Sequence, residues 1–591
     1  MCAWILALVR VKHHLFSLSM KHFDIAGQKK SITIAAVVLA VWSLIALIIP
    51  NVELSFTEDM NIWGRITNVA VPLGVFMVLM GISRKVGKAA VLMFPFMFFA
   101  AFQMVLIYLY GRSVIAVDMF LNVVTTNPGE VGELLGNLTP IMIAVFVLFL
   151  PPLIVGIVAW CRRWLLPVNF VHLLRVAGGI VLALGIVFGV IGKLVGDNYA
   201  IHKHLFPINA IYNMCTAVNR TVLTSKYPDT SRDFSYHTVA ERGDTVPQTY
   251  VLVVGETSRA MNWQLTGSEF PTNPSLVGRD GLVAFDKVLS QSNTTHKSVP
   301  MLISYLDASN FGDSIYSSKG IITAFKEAGF STWFLSNQLR NRSFIDFFGM
   351  EADTCLFIRD YEHGESLHSD FSLLPYFRKA LNSGAHKKLI VLHTYGSHFN
   401  YADRYPENLR SFKPDYPTEA KSKYRNSLVN AYNNSVLATS ALLDSVMMAL
   451  HSSDGISAML YTSDHGEDIF DDERGLFLHA SPCPSYYQIH VPMLVWVSPG
   501  LDAAYPEFKR NAMNNAHRYV ASSSAYFHTA MQLAGLKSPY MSPKKSLVSA
   551  EYAEPRPIYL NDHNEAVPLE DCGLMEHDFV KLDSLGVKLK R

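Results

Sequence analysis

Four stretches of this chain place chemically able side chains just where apolar runs stop. Val251-Leu-Val-Val-Gly-Glu256-Thr-Ser-Arg259 ends an unbroken apolar run on an acid. Ser292-Asn-Thr294-Thr295-His-Lys297-Ser298-Val-Pro300 is a hydroxyl-rich turn that should lead into a helix, whose free backbone N–H groups favour an anion. His393-Thr-Tyr-Gly396-Ser-His398 follows a further apolar run, and Ser463-Asp464-His465-Gly466-Glu467 follows another, with Leu478-His479-Ala480 close behind. Two carboxylates and a histidine from separate strand ends, joined by one hydroxyl or its phosphorylated form, make a tetrahedral O/N set suited to zinc. Such a metal lowers the pKa of a threonine hydroxyl and shields the charge of an incoming phosphate. His398 and His479 would be free to protonate a leaving oxygen, steady a phosphoryl oxygen or hold a second metal. A lone Asp-His pair is more often a hydrogen-bonded loop. It is the conjunction of four fragments, each at a strand end, that points to a metal centre.

The elements that must position these groups follow from the apolar pattern. Runs at 250–255, 331–336, 389–393, 456–462 and 491–498 read as strands, and segments at 319–329, 371–383 and 421–451 read as helices. Strand and helix in alternation predict a mostly parallel sheet with helices on both faces, an α/β/α sandwich, whose working residues stand at the carboxyl ends of the strands. The spacing of Tyr432, Val436, Leu442, Val446 and Leu450 reads as helix core. The final 50 residues read as charged and loop-like.

The chain of 591 residues is half hydrophobic, too apolar for an ordinary soluble enzyme. The excess lies in the first third, where five stretches, at about 32–50, 67–83, 89–110, 139–160 and 176–195, approach the roughly 20 residues that cross a bilayer. Lys21, Lys29, Lys30, Arg84, Lys85, Lys88, Arg162, Arg163 and Arg175 fall on alternate connections and mark the cytoplasmic side, which puts everything after about residue 196 outside. The expected organisation is a cytoplasmic segment (1–31), a five-helix transmembrane domain (32–195), an interfacial linker carrying Ile208, Ile211 and Met214 on one helical face (196–247), and an exterior domain (248–591). A net charge of +1 leaves no basic surplus for a nucleic-acid partner. Six cysteines show no close pair, so stability rests on a core rather than a disulfide framework.

In the outer loop, Asn122 and Thr126 share a helical face at i, i+4, and Pro128-Gly129 leaves Glu130 nearby. By composition alone this is a solvated loop.

These fragments, in this order, resemble the phosphoethanolamine transferases of Gram-negative envelopes, of the alkaline phosphatase and sulfatase superfamily. The resemblance rests on Gly-Glu256-Thr-Ser-Arg259, Thr272-Asn-Pro274, Thr295 five residues before Pro300, His-Thr-Tyr-Gly-Ser-His398, Ser-Asp464-His465-Gly-Glu and Leu-His479. The loop Asn122 to Glu130 is similar to the family's lipid-donor segment, which reverses its reading as a plain connector. What the resemblance implies is an inner-membrane enzyme with a periplasmic catalytic domain; a monomer is the expected state, which the sequence does not fix. It would move phosphoethanolamine from phosphatidylethanolamine, through Thr295, to a glycolipid acceptor such as lipid A. Glu256, Thr295, Asp464 and His465 would bind one zinc ion, His398 and His479 would face substrate, and Asn122, Thr126 and Glu130 would meet the donor. On charge alone, Lys297, Arg340 and Arg342 are candidate phosphate contacts, and each is equally a solvated cation.

The sequence departs from the family pattern at Gln291 and Met301, where many lipid A enzymes carry cysteines, so packing must hold that loop and the acceptor stays open. Thr294, beside Thr295, is an alternative nucleophile. A phosphoglycerol transferase of the lipoteichoic acid type is the nearest alternative enzyme, against which the Asn122 to Glu130 and His393 to His398 runs tell. A sulfatase lacks its cysteine motif here. An inert membrane scaffold would be expected to have lost a ligand, and none is missing.

Overall fold

The computed structural model describes residues 25–58, 60–110, 114–125, 139–196, 199–243, 245–361 and 369–590, with side chains described in those ranges except at 25–28, 122–125 and 139–140. The chain divides into two compact units, Met1–Met104 with Ile143–Pro207, and Val105–Met142 with Ile208–Arg591.

The first unit is helical. Among the described residues, Lys29–Thr57, Ile62–Gly81, Ile141–Cys161 and Val168–Leu194 are long and apolar enough to cross a bilayer. Val86–Leu92 and Phe94–Tyr110 meet at 53° and make a fifth crossing only if taken as one bent span. The expected straight span at 89–110 is therefore a broken one. Pro95 lacks the N–H that would continue the helix across the junction. The helices also run longer than the apolar windows: the first begins at Ile25, the last at Val168. The first extension carries Lys29 and Lys30, and the last carries Asn169, His172 and Arg175 among apolar residues, polar side chains that interrupt an apolar window but not a helix.

The second unit is built on a seven-stranded sheet. In chain order its strands are β1 (Gln248–Gly255), β2 (Leu282–Phe285), β3 (Ser331–Ser336), β4 (Thr354–Phe357), β5 (Lys387–His393), β6 (Ile456–Ser463) and β7 (Met493–Val497). Across the sheet they lie in the order β2-β7-β6-β1-β5-β3-β4. The five strands from β6 to β4 are parallel, whereas β7 runs antiparallel to β6 and β2 to β7. Every residue of β1 and β6 is buried, as expected for central strands covered on both faces. Tyr250, Leu252 and Val254 point into one apolar layer, and Val251 and Val253 into the other.

The expected strands are present to within a few residues. β2 and β4 were not anticipated, because edge strands of four residues carry too little pattern to separate from loop. The expectation of a loop over the last 50 residues is also corrected. That stretch holds the hairpin Ile558–Leu560 with Ala566–Pro568 and a helix over Glu576–Leu585, whose first turn is capped by the buried Asp578. Tertiary contact with Arg474, 2.7 Å from Asp578, stabilises what local composition does not.

The helix Ile208–Ser225 buries Asn209, Asn213, Ala217 and Arg220 and exposes Ile208, Ile211, Val218 and Val222. Its polar face is thus the one packed against protein, and its apolar face is outward. That inversion suits a helix lying at a lipid surface.

Candidate active site

Parallel pairing aligns Gly255 of β1 with Ser463 of β6. Glu256 and Asp464, the next residue on each strand, therefore emerge together at the carboxyl edge. To turn out of β1, Thr257 takes a φ of 56°, a left-handed conformation costly for a β-branched residue. Three hydrogen bonds hold it there: Thr257 N donates to Asp464 Oδ1 (3.1 Å), Thr257 Oγ1 donates to Glu256 Oε1 (2.7 Å), and Tyr432 Oη donates to Thr257 O (2.7 Å). Gly396 lies against the same turn with a φ of 53°, and a Cβ there would fall 2.3 Å from the carbonyl of Glu256.

Thr295 opens the helix Thr295–Leu302. Its Oγ1 lies 3.3 Å from Glu256 Oε1 and 3.1 Å from His465 Nε2. Thr294, the residue before, turns its hydroxyl the other way, 3.1 Å from Ser292 Oγ. The structure thus brings Glu256, Thr295, Asp464 and His465 together, and leaves Thr294 outside the cluster.

The tautomer of His465 follows from its partners. Nδ1 faces the carbonyl of Gly466 at 2.9 Å, so Nδ1 carries the proton and Nε2 presents a lone pair. That lone pair stands 3.2 Å from Asp464 Oδ2 and 3.5 Å from Glu256 Oε1. His479 is arranged alike: Nδ1 meets Glu467 Oε1 at 3.1 Å, and Tyr401 donates to the other oxygen of Glu467 at 2.6 Å. A carboxylate behind a histidine is the arrangement that orients metal-ligating imidazoles. Glu256, His465 and His479 can each offer a ligand atom, all within 4.8 Å of one another. His479 sits between two left-handed residues, Leu478 (φ 70°) and Ala480 (φ 61°), a strained turn that aims the ring. His398 Nδ1 faces Phe399 O at 2.7 Å, and the ring lies 5.8 Å from that of His479, centroid to centroid.

Burial governs the electrostatics. It pushes the Asp464 carboxyl up to about 7 and the Glu467 carboxyl up to about 8. It pushes the imidazoles of His398 and His479 down to about 4 and about 3. The residues present fit a divalent cation. Lone pairs and carboxylate oxygens converge where only a positive charge relieves their repulsion, and Asp464 Oδ2 is buried with no aligned donor among the described residues.

The remaining expected residues fall elsewhere. Lys297, Arg340 and Arg342 line a cavity of about 910 Å³ floored by Phe344, Phe347 and Met350. Lys297 is buried and ion-paired with Asp118 at 2.5 Å, Arg340 is paired with Asp360 at 2.9 Å, and Arg342 is exposed. Asn122 lies on the helix Val117–Thr125, but its side chain, together with Thr126 and Glu130, is outside the described residues. Gln291, at one expected cysteine position, accepts a hydrogen bond from Ala308 N (3.3 Å), and Met301, at the other, is fully buried.

Two residues went unassigned in the sequence. Glu467 was visible in the Asp-His-Gly-Glu run, but its role behind His479 was not. Gln338, whose Nε2 donates to Glu256 Oε2 (3.1 Å) and to Thr394 O (2.8 Å), carried no local signal at all.

Comparison with known proteins adds four findings. Residues 248–536 match the sulfatase family. Phosphoethanolamine transferase EptA of Escherichia coli is 30% identical over 299 residues, covering 49% of this chain and 54% of that one, so the chain spans about half the length of the curated relatives it matches. Among solved structures, the integral membrane lipooligosaccharide phosphoethanolamine transferase A from Neisseria meningitidis superposes with a TM-score of 0.66 at 22% identity, over 88% of this chain and 99% of that one. The C-terminal periplasmic domain of EptC from Escherichia coli, in complex with Zn, superposes with a TM-score of 0.52 at 24% identity, over 58% of this chain and 97% of that one. At those identities the likeness establishes the fold: apolar N-terminal helices followed by an alkaline-phosphatase-like domain on a mostly parallel sheet.

Proposed function

From the premise that residues 248–536 are a sulfatase-family domain carried behind apolar helices, we propose that this chain is a phosphoethanolamine transferase of the bacterial inner membrane. Its donor is phosphatidylethanolamine and its acceptor an envelope glycolipid, lipid A or another lipopolysaccharide component. The similarity to EptA and the periplasmic designation of the EptC domain support this reading. In this reading the chain comprises a cytoplasmic segment (1–31), membrane helices (32–195), an interfacial linker (196–247) and a periplasmic catalytic domain (248–591).

One observation carries the proposal. The hydroxyl of Thr295, at a helix N-terminus, stands within 3.3 Å of both an imidazole lone pair and a carboxylate. Glu256, Thr295, Asp464 and His465 would hold a zinc ion, which supplies a lowered hydroxyl pKa and charge shielding for phosphate. Glu256 and His465 fix the direction of Oγ1. As Oγ1 bonds to phosphorus, the glycerol oxygen leaves as diacylglycerol and takes up the proton that Thr295 gives. The phosphoethanolamine remains on Oγ1. An acceptor phosphate or hydroxyl oxygen then attacks the same phosphorus, and Oγ1 regains a proton. His398 and His479, kept neutral by burial with their Nδ1 protons engaged, present Nε2 to substrate and can take the acceptor's proton. Asn122, Thr126 and Glu130 meet the donor head group, while Arg342 faces phosphate from the adjoining cavity and Lys297 and Arg340 are engaged by Asp118 and Asp360.

Mass spectrometry of envelope glycolipids from cells with and without the chain tests this directly. A phosphoethanolamine increment that depends on the chain is expected, and identical spectra would overturn the proposal.

A further inference from the structure

Asp118 is a buried, multiply paired charge that the reaction above does not use. It lies on the helix Val117–Thr125 of the outer loop, remote in sequence from the catalytic fragments, with a side chain 9% exposed. Lys297 Nζ is 2.5 Å from one of its oxygens, His296 Nε2 is 3.1 Å from the other, and Arg220 reaches it at 3.7 Å. The helix is itself fixed from behind. Val117 N and Asp118 N donate to the carboxylate of Asp562 (2.7 and 2.9 Å), satisfying two N–H groups that a helix start leaves free. Arg220 also donates to Asp562 O (3.0 Å), and Lys297 to Asn561 O (2.9 Å).

His296 and Lys297 are the two residues that follow Thr295. On a helix they point about 100° and 200° away from it, so a carboxylate that grips both sets the rotation of the first turn. Rotation of that turn decides where Oγ1 of Thr295 sits relative to Glu256 and His465. We propose that Asp118 is a positioning residue for the nucleophile, acting from the outer loop through His296 and Lys297. The inference rests on the reaction proposed for Thr295, and it predicts an effect on the chemical step rather than on donor binding.

The test uses the full chain in detergent, with fluorescent phosphatidylethanolamine as donor. Asp118→Asn should lower kcat on the order of 10- to 100-fold, the penalty for a displaced reacting atom, with KM for the donor and zinc content close to wild type. Asp118→Glu should restore part of kcat. Because Asp118→Asn leaves Lys297 buried and unpaired, the double variant Asp118→Asn, Lys297→Met separates stability from position. Its melting temperature should recover while its kcat stays low, and amide exchange over residues 295–298 should be faster than in wild type. Unchanged kcat, a loss confined to KM, or kcat that recovers together with the melting temperature would each overturn the assignment. Wild-type protein that transfers nothing would overturn the proposed reaction instead, and amide exchange over 295–298 would still decide whether Asp118 holds the turn.

Discussion

Oγ1 of Thr295 and Nε2 of His465 are 3.1 Å apart although 170 residues separate them in the chain. The contact exists because a parallel sheet delivers the ends of β1 and β6 to one edge and a helix starts opposite them. The proposed chemistry depends on that contact.

Thr295→Ala should abolish transfer, a fall on the order of 10⁴-fold or more if the covalent route operates, while the protein remains folded in the membrane. Thr294→Ala should retain most activity, since its hydroxyl faces Ser292 rather than the cluster. Ethanolamine phosphate appearing on purified glycolipid is the measurement, and full activity in Thr295→Ala excludes a phosphothreonine.

Removal of metal should abolish transfer, and zinc should restore it. Bound metal also stabilises the folded state, by about 4 kcal/mol when free zinc exceeds its Kd a thousandfold, so chelation should lower the melting temperature. Asp464→Asn should lower the zinc content measured by plasma mass spectrometry. A variant that keeps full zinc stoichiometry removes Asp464 from the ligand set.

Substitutions at Asn122, Thr126 and Glu130 should impair use of phosphatidylethanolamine more than use of a soluble head-group analogue. Parallel assays with the two donors decide this. Equal losses on both would place that loop outside the donor site.

Arg259 and Asp471 form an ion pair at 2.6 Å with both side chains 2% exposed. Asp471→Ala should destabilise the domain built on the seven-stranded sheet by about 3–5 kcal/mol, because it strands a buried guanidinium. The double variant Arg259→Met, Asp471→Leu should recover much of the loss in thermal melts. A single variant within about 1 kcal/mol of wild type would show that water or another acid reaches Arg259.

The class of fold, and the four residues Glu256, Thr295, Asp464 and His465 that converge at the cluster, were legible in the chain alone. Central strands such as β1 and β6 are buried on both faces, so they read as unbroken apolar runs, and the residue that ends each run stands out by its polarity. The long apolar helices of the first unit were legible as well, since helices long and apolar enough to cross a bilayer leave long apolar windows in the sequence. Local composition carries no such trace of β2 and β4, of the helix at Glu576–Leu585, or of the break before Pro95 within an apolar window. Only the tertiary structure decided which threonine faces His465, that Glu467 stands behind His479, that Gln338 touches Glu256, and that Asp118 grips the residues after Thr295. Those relations join segments up to hundreds of residues apart. Strand register and buried charge pairing set them, and neither is written in any short stretch of sequence.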